Sequence, residues 1–521
     1  MREAHSTTAR NSISSSHYAS TTDLSVKVSI AEGFDSTTTL VPTIGITSGI
    51  GILMSCLMSA ENFLIPGSVW QLTGSVGMSF IMWAVGAIMH MFGGLCYVEL
   101  GLMLPQSGGE KVYLSYCYRY PRELLGYAFS WIMILVMTPA NLAAQMVIFG
   151  QYILYAATGD AVIDEAERVR KDWMARGIGI AGLAIIVALN TFSMRWANRV
   201  HNVLTLGKIM AKLLIIGLGL AVMTGGLDIP DTGNWDEPFA GTSTNALDYA
   251  LASLRVGLAF CGWGNLNYAI SEVKRPERTL PISILSSITL GAALMLLLNA
   301  AYTVTLPASV AFAAQEVIVG TFGAATLGAV AGQVLIPILL AVVAFGAASA
   351  SILVCSRVLH EAARSNYLPG WRFLSIVHVG SNTPRRCILA NGILALIALV
   401  VPPPGRAFDF LVEVSGFSYF LYMGLAVLGL IIVRYTEPAK ARPFKVWIIV
   451  PIIFTTYILI TLVTAFLPPA DGKVVDEYGI TYFLPSVVSI LFSLFGVPFW
   501  FVYVICNGSW RVAWRRCIRC A

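Results

Sequence analysis

The chain has 521 residues, of which 57% are hydrophobic and only 12% charged, with a formal net charge of +5. A soluble protein of this length carries roughly twice that charged fraction, so a soluble enzyme or soluble binding module is excluded. Long apolar runs, each near the ~20 residues needed to cross ~30 Å of hydrocarbon, recur along most of the chain. The ten-residue alternation of a membrane β-barrel is absent. The sequence reads as an all-α polytopic membrane protein.

In chain order, residues 1–41 are rich in Ser and Thr and poor in large apolar groups, as expected of a disordered cytoplasmic tail without a cleavable signal peptide. Lys27 is the only lysine of this tail, a candidate for ubiquitination or an ordinary solvated side chain. A transmembrane domain follows over 42–505, and 506–521 form a basic cytoplasmic tail. Twelve transmembrane helices are expected within the domain, at about 44–68, 76–103, 124–155, 177–193, 200–224, 248–271, 282–306, 331–357, 386–402, 407–433, 445–467 and 482–505. Two connections on the opposite side, a highly charged one at 156–176 ("DEAERVRKD") and an acidic, Gly/Pro-rich one at 225–247, are too short for an added soluble domain.

Charge sets the orientation. The two tails and the even-numbered connections hold 24 of the 33 Lys/Arg, the other side holds six, and Lys208, Lys212 and Arg255 lie within spans. The positive-inside rule then places both termini in the cytoplasm; the plasma membrane is the expected location of this multi-pass protein. The +5 charge follows from this topology and does not suggest nucleic acid as a partner. None of the nine cysteines falls in an expected external loop, so no disulfide framework is expected. Cys517 and Cys520 form one CxxC on a basic tail, open to metal, S-acylation or no role. Asn507, in the only Asn-x-Ser/Thr, falls on the cytoplasmic side and should not be glycosylated. GxxxxGK[ST], HExxH and Cys/His clusters are all missing, so no cofactor, metal, ATP-driven step or catalytic residue is expected.

Two spans read as interrupted. In the sixth, "LAFCGWGNLNYAISEVKRPE", Gly262, Gly264, Asn265 and Asn267 crowd the middle. Glycine weakens a helix by up to ~1 kcal/mol, and Asn offers the backbone competing hydrogen bonds. An opened turn inside a membrane is tolerated where it lines a polar cavity; close helix packing through small residues is the alternative. In the first span, Ser59, Glu61 and Asn62 precede Pro66 and Gly67. A break near 58–62 would lie roughly 15 Å from the cytoplasmic start. Paired discontinuous helices mark the binding site of many transporters; spans one and six are five apart, which suits an inverted repeat of five helices, although no internal sequence repeat is evident.

The residues "GWGNLNYAISEVKRPERTLP" (262–281) resemble the sixth-helix signature of L-type amino-acid transporters, and especially of fungal methionine permeases. "LTGSVGMSFIMWAVG", "YVELGLMLPQSGGEKVYLSYCYRYP", "NTFSMRWANRVHNVLTLGKIMAKLLIIGLGL", "FGAASASILVCSRVLHEAARSNYLP" and "RYTEPAKARPFKVW" follow the family pattern in order over about 42–505. The resemblance implies the amino acid–polyamine–organocation superfamily and a LeuT-type 5+5 inverted repeat plus two C-terminal helices. It implies a secondary active amino-acid permease, with methionine or other neutral amino acids as the default substrates, rather than an enzyme. The family usually carries Gly-Ser/Thr-Gly in helix one, where backbone N–H groups receive the substrate carboxylate. Here those positions read Ser59-Ala60-Glu61. An anion thus stands where a carboxylate would dock, with a repulsion of ~4 kcal/mol at 4 Å and an effective dielectric of 20.

By the same resemblance, Lys208 matches a fifth-helix lysine that replaces a sodium ion beside the first break. Four readings of Glu61 stay open: a buried pair with Lys208, direct or through water, a carboxyl that titrates during proton-coupled transport, a site for the substrate's cationic group, or a side chain facing a watery vestibule. Expected substrate contacts are Ser59, Ala60, Glu61 and Asn62 with Phe260, Cys261, Gly262, Trp263, Gly264 and Asn265, and Glu61 with Lys208 would carry coupling. Trp263 is expected as a bulky cap or a packed aromatic. Residues near Phe345–Ser349 would shape the side-chain pocket, and Arg255 would guard the external mouth or snorkel. Glu99 and Glu110 are expected to meet cytoplasmic basic groups, and Glu272 has no substrate role. The partners are then an amino acid or amine, a proton in one coupling scheme, and the lipid bilayer. A disulfide-linked heavy chain is not expected, because 156–176 contains no cysteine. A carrier of a cationic amino acid, polyamine or specialised metabolite, and a non-transporting nutrient sensor, are the alternatives.

Overall fold

The structure is a computed structural model and describes residues 42–159, 165–192, 194–314, 318–377, 383–403, 406–468 and 481–506. The N-terminal tail with Lys27, and Asn507, Cys517 and Cys520, lie outside the described residues. Among the described residues the fold is helical without named strands, with one isolated parallel bridge between Ile44 and Val273.

The first predicted span is two helices, α1 (Ile46–Leu57) and α2 (Glu61–Thr73), bent by 51° at the break. Helix α3 (Val76–Met103) begins at Ser75, whose hydroxyl accepts from Met78 N. A short helix, α4 (Glu110–Cys117), follows in the connection. Helices α5 (Leu124–Ile132) and α6 (Thr138–Thr158) join through a π-turn at Met133–Met137 into one apolar span. Next come α7 (Glu165–Phe192), α8 (Met194–Met223) and α9 (Ala246–Ala259), the last capped by Asn245. A 3-10 segment, Trp263–Glu272, continues from α9. Helix α10 (Pro276–Thr305) takes proline at its first position, where no intrahelical N–H is needed. The remainder are α11 (Ala308–Ala314), α12 (Ile318–Leu327), α13 (Ala329–Arg364), α14 (Trp371–Leu374), α15 (Arg385–Val400), α16 (Arg406–Thr436), α17 (Ile449–Thr464) and α18 (Leu484–Trp500).

Among the described residues, eight helical stretches are long and apolar enough to cross a membrane, and α1 with α2 makes a ninth. Helices α9, α15 and α17 occupy the other three predicted spans with 14, 16 and 16 residues. The chain is a multi-pass integral membrane protein. The charged connection at 156–176 departs from its reading as a loop: from Glu165 onward it is the first part of α7. Ion pairs one turn apart, Glu167 with Arg170 at 3.8 Å and with Lys171 at 3.3 Å, support that extension outside the lipid.

One apolar core joins α2, α3, α10 and the 3-10 segment through Phe63, Trp83, Tyr97, Phe260, Trp263 and Ile284. The start of α1 is strapped to the end of the 3-10 segment. Thr43 N and Ile44 N both donate to Glu272 O at 2.8 Å, and Lys274 N donates to Ile44 O at 2.8 Å. This strap fixes the two interrupted spans side by side.

Candidate functional site

Helix α1 stops because its freed carbonyls find side chains instead of the next turn. Asn62 Nδ2 donates to Leu57 O, and Ser59 Oγ donates to Asn62 Oδ1 at 3.3 Å. Lys208 on α8, fully buried, donates from Nζ to Ser55 O at 2.8 Å and to Ser55 Oγ at 3.0 Å. A cation at this end complements the partial negative charge of the α1 C-terminus. Helix α2 restarts with Asn62 N on Ser59 O at 3.3 Å and Phe63 N on Ala60 O at 3.0 Å.

The second break follows Ala259. Cys261 N donates to Leu258 O at 3.1 Å, and Gly262 sits at φ +106°, a conformation side chains rarely adopt. A Cβ on Gly262 would lie 3.0 Å from Cys56 Cβ and 3.1 Å from its carbonyl carbon. The two breaks therefore touch, backbone to backbone. The Cys56 thiol also meets the Asn265 side chain. Gly262→Ala is expected to cost ~1–2 kcal/mol from φ alone, read as a lower melting temperature in detergent; an unchanged value would remove the required left-handed turn. Asn62→Ala leaves Leu57 O open and is expected to cost ~1 kcal/mol by the same measurement, with no loss if water replaces the amide.

A cavity with about 680 Å³ of empty space, counting its open mouth, lies beside the two interrupted spans and reaches the second break at Asn265. Its walls are the start of α1 (Thr43, Ser48, Ile52), the 3-10 segment (Asn265, Leu266, Ala269), His201 and Asn202 on α8, and Val354 and Arg357 on α13. At its mouth the Arg357 guanidinium holds both oxygens of Glu272, at 2.8 and 3.1 Å.

The expected positions differ in where the structure places them. Ser59, Glu61, Cys261, Gly264 and Asn265 keep accessible surface at the junction, whereas Ala60, Asn62, Phe260 and Gly262 are buried beside it. Trp263 does not cap the hollow. Its indole is fully buried, donates from Nε1 to His90 Nδ1 at 2.9 Å and packs edge-on to Tyr97 at 5.0 Å. Only its backbone belongs to the break. Glu61 and Lys208 make no direct ion pair: the ammonium goes to Ser55, and Glu61 Oε1 accepts from Gln145 Nε2 on α6 at 3.3 Å. Ser55 takes the ammonium with both its carbonyl and its hydroxyl. Phe345 packs on Phe149 at 5.6 Å, and Ser349 Oγ accepts from Asn190 Nδ2 at 3.4 Å, so this stretch of α13 faces α6 and α7. Arg255 is exposed.

Glu99 meets the basic groups expected of it. It is fully buried, receives Arg434 Nε at 3.0 Å, and lies 3.7 Å from Arg442 Nε. Glu110 does not; its Oε1 accepts from Tyr97 OH at 2.8 Å. Burial pushes the Glu110 carboxyl above the usual carboxylate range. Outside the spans, Tyr116 OH at 2.5 Å, with Arg119 and Lys440, holds Glu437 below it. Gln145 and Tyr419, whose hydroxyl meets the Cys261 thiol, were not anticipated. Gln145 was within reach, because a buried amide inside "NLAAQMVIF" marks a polar pathway.

Two touching helix breaks inside a multi-pass helical bundle, with a cavity beside them, define a membrane carrier of small molecules rather than an enzyme. A family model described as amino acid permease matches residues 38–495. The chain belongs to the amino acid permease family, within the amino acid–polyamine–organocation superfamily, and is L-type-transporter-like. It is 30% identical over 479 residues to b(0,+)-type amino acid transporter 1 of Homo sapiens, covering 91% of this chain and 90% of that protein. It is 30% identical over 458 residues to the cystine/glutamate transporter of Homo sapiens, covering 88% and 84%. With large neutral amino acids transporter small subunit 2 of Mus musculus it shares 31% over 453 residues, covering 86% and 80%.

Proposed function

We propose that the protein is a secondary active carrier of amino acids that works by alternating access, with substrate held between the two breaks. The observation that carries this reading is the close approach of Gly262 to Cys56, where the two interrupted spans meet. Ser59, Ala60, Glu61 and Asn62 on one side, and Phe260, Cys261, Gly262, Gly264 and Asn265 with the Trp263 backbone on the other, form the substrate contacts. In this reading both termini and the cavity mouth face the cytoplasm of a plasma-membrane protein of twelve transmembrane helices.

Lys208 occupies the place of a coupling cation at the end of α1, which supports proton coupling or exchange over sodium dependence. The resemblance puts methionine and other neutral amino acids first. The 156–176 connection has no cysteine, which supports function without a disulfide-linked heavy chain. Uptake of labelled methionine, leucine and lysine by proteoliposomes of the purified chain, with and without a pH gradient, tests the reading. Accumulation of at least one amino acid above protein-free vesicles is expected. Binding without any uptake would favour the sensor of the same fold, for which the loss of both helix-one glycines, replaced by Ser59 and Glu61, is the supporting observation.

A further inference from the structure

Two acceptors beside the first break are poorly satisfied: the Glu61 carboxylate and Gln145 Oε1. Glu61 lies deep in the protein at the first turn of α2, yet its side chain keeps accessible surface toward the junction. Its only hydrogen bond among the described residues is the long one from Gln145 Nε2 at 3.3 Å to Oε1. Among the described residues no cation pairs with it. Lys208 is spent on Ser55, Lys212 lies over the Phe63 ring at 5.3 Å with Nζ on Met295 Sδ at 3.2 Å, and Arg255 is exposed. Gln145 is 1% exposed, and its Oε1 has no partner. Turning the amide over does not help, since it would aim oxygen at the carboxylate and leave the NH₂ group without an acceptor. A carboxylate this deep, with one long hydrogen bond and no counter-charge, is poorly satisfied, so this arrangement suits a ligand that brings the charge and the donors.

We infer that Glu61 and Gln145 form an ammonium subsite, so that the substrate presents a primary alkylammonium group to the break with no carboxylate beside it. A primary ammonium offers three donors and a full positive charge, which answers the carboxylate and leaves donors for the junction's remaining acceptors. The Cys261 thiol and the Tyr419 hydroxyl flank the same place, and Cys261 lies within electrostatic reach of Glu61. An amino acid docked with its α-carboxylate on the start of α2 would meet Glu61 directly and be repelled. Two sources fit the shared chemistry: the side-chain ammonium of a cationic amino acid, and an amine without any carboxylate. The inference rests on the site proposed above and narrows its substrate.

Lysine, cadaverine and norleucine form a matched test set. Lysine carries both groups, cadaverine lacks the carboxylate, and norleucine lacks the side-chain ammonium. Calorimetric binding to the full-length protein in detergent is expected for lysine or cadaverine at least about tenfold tighter than for norleucine. Glu61→Gln should erase that preference, and Gln145→Leu should weaken it. Lysine alone binding identifies a cationic amino acid as the source, and cadaverine alone or with lysine identifies a carboxylate-free amine. Norleucine binding as tightly as both, an unchanged preference in Glu61→Gln, or no binding of lysine and cadaverine overturns the inference. The wild-type series decides it even if the variants do not fold. Uptake in proteoliposomes is read separately: amine binding without uptake overturns the carrier reading alone, and norleucine uptake without amine preference overturns the subsite alone.

Discussion

Lys208→Met is expected to lower uptake at least about tenfold while the protein still reaches the membrane. Among the described residues, the ammonium is the only group that bonds Ser55 O from outside α1, at 2.8 Å, and it adds a second bond to Ser55 Oγ at 3.0 Å. Each charge-assisted bond of this kind contributes about 1.5–3 kcal/mol. Removing a buried ammonium also relieves its own desolvation, so global stability should fall less than activity. What is lost is the anchor that holds the end of α1 against α8 while the break is open. Room for the lysine is provided by Gly346 on α13, where a Cβ would come within 2.6 Å of Lys208 Cε. Gly346→Ala should therefore reproduce part of the defect. Uptake and melting temperature measured together check both variants. Wild-type uptake in Lys208→Met would show that the anchor is dispensable.

Glu99→Ala is expected to destabilise the protein by ~3–5 kcal/mol, read as a large fall in melting temperature and in yield from the membrane. Glu99 is fully buried and holds the Arg434 guanidinium through Nε at 3.0 Å and through Nη2. It also accepts from Val446 N at 2.8 Å, with Arg442 Nε 3.7 Å away. Three elements, α3, the end of α16 and the segment leading to α17, meet on one carboxylate. Its removal strands the Arg434 and Arg442 side chains, which are 7% and 5% exposed, without a counter-charge. Pairing Glu99→Leu with Arg434→Met should recover part of the loss, because a buried pair is costly mainly when only one partner remains. No recovery would mean that Glu99 serves the backbone of Val446 rather than the arginine.

The breaks themselves were legible, because their cause is local. Asn62 and Ser59 cap the end of α1, and Gly262 supplies a positive φ, all within a few residues of the interruption. The side-chain partners were not legible to the same degree. Lys208 and Ser55 are 153 residues apart, and the preference of the ammonium for a carbonyl over Glu61 depends on how α8 packs against α1. Trp263 turned away from the hollow because His90, on α3, offers the acceptor its indole needs. Glu99 was read correctly since a carboxylate at a basic membrane face has few other destinations, whereas Glu110 was drawn to Tyr97 instead. The helix begun at Glu165 was hidden by its high charge, which reads as a loop until the one-turn spacing of Glu167 and Lys171 is counted.

Cys56 and Cys261 are native thiols, one beside each break, and both keep accessible surface. The most direct test retains one of them at a time in an otherwise cysteine-free protein. Its reaction with a small methanethiosulfonate reagent is then timed with and without the best-transported amino acid or amine. If substrate sits between the breaks, saturating substrate slows modification at both positions. Modification of both thiols at the same rate with and without substrate, in a protein that still transports it, would place the substrate elsewhere.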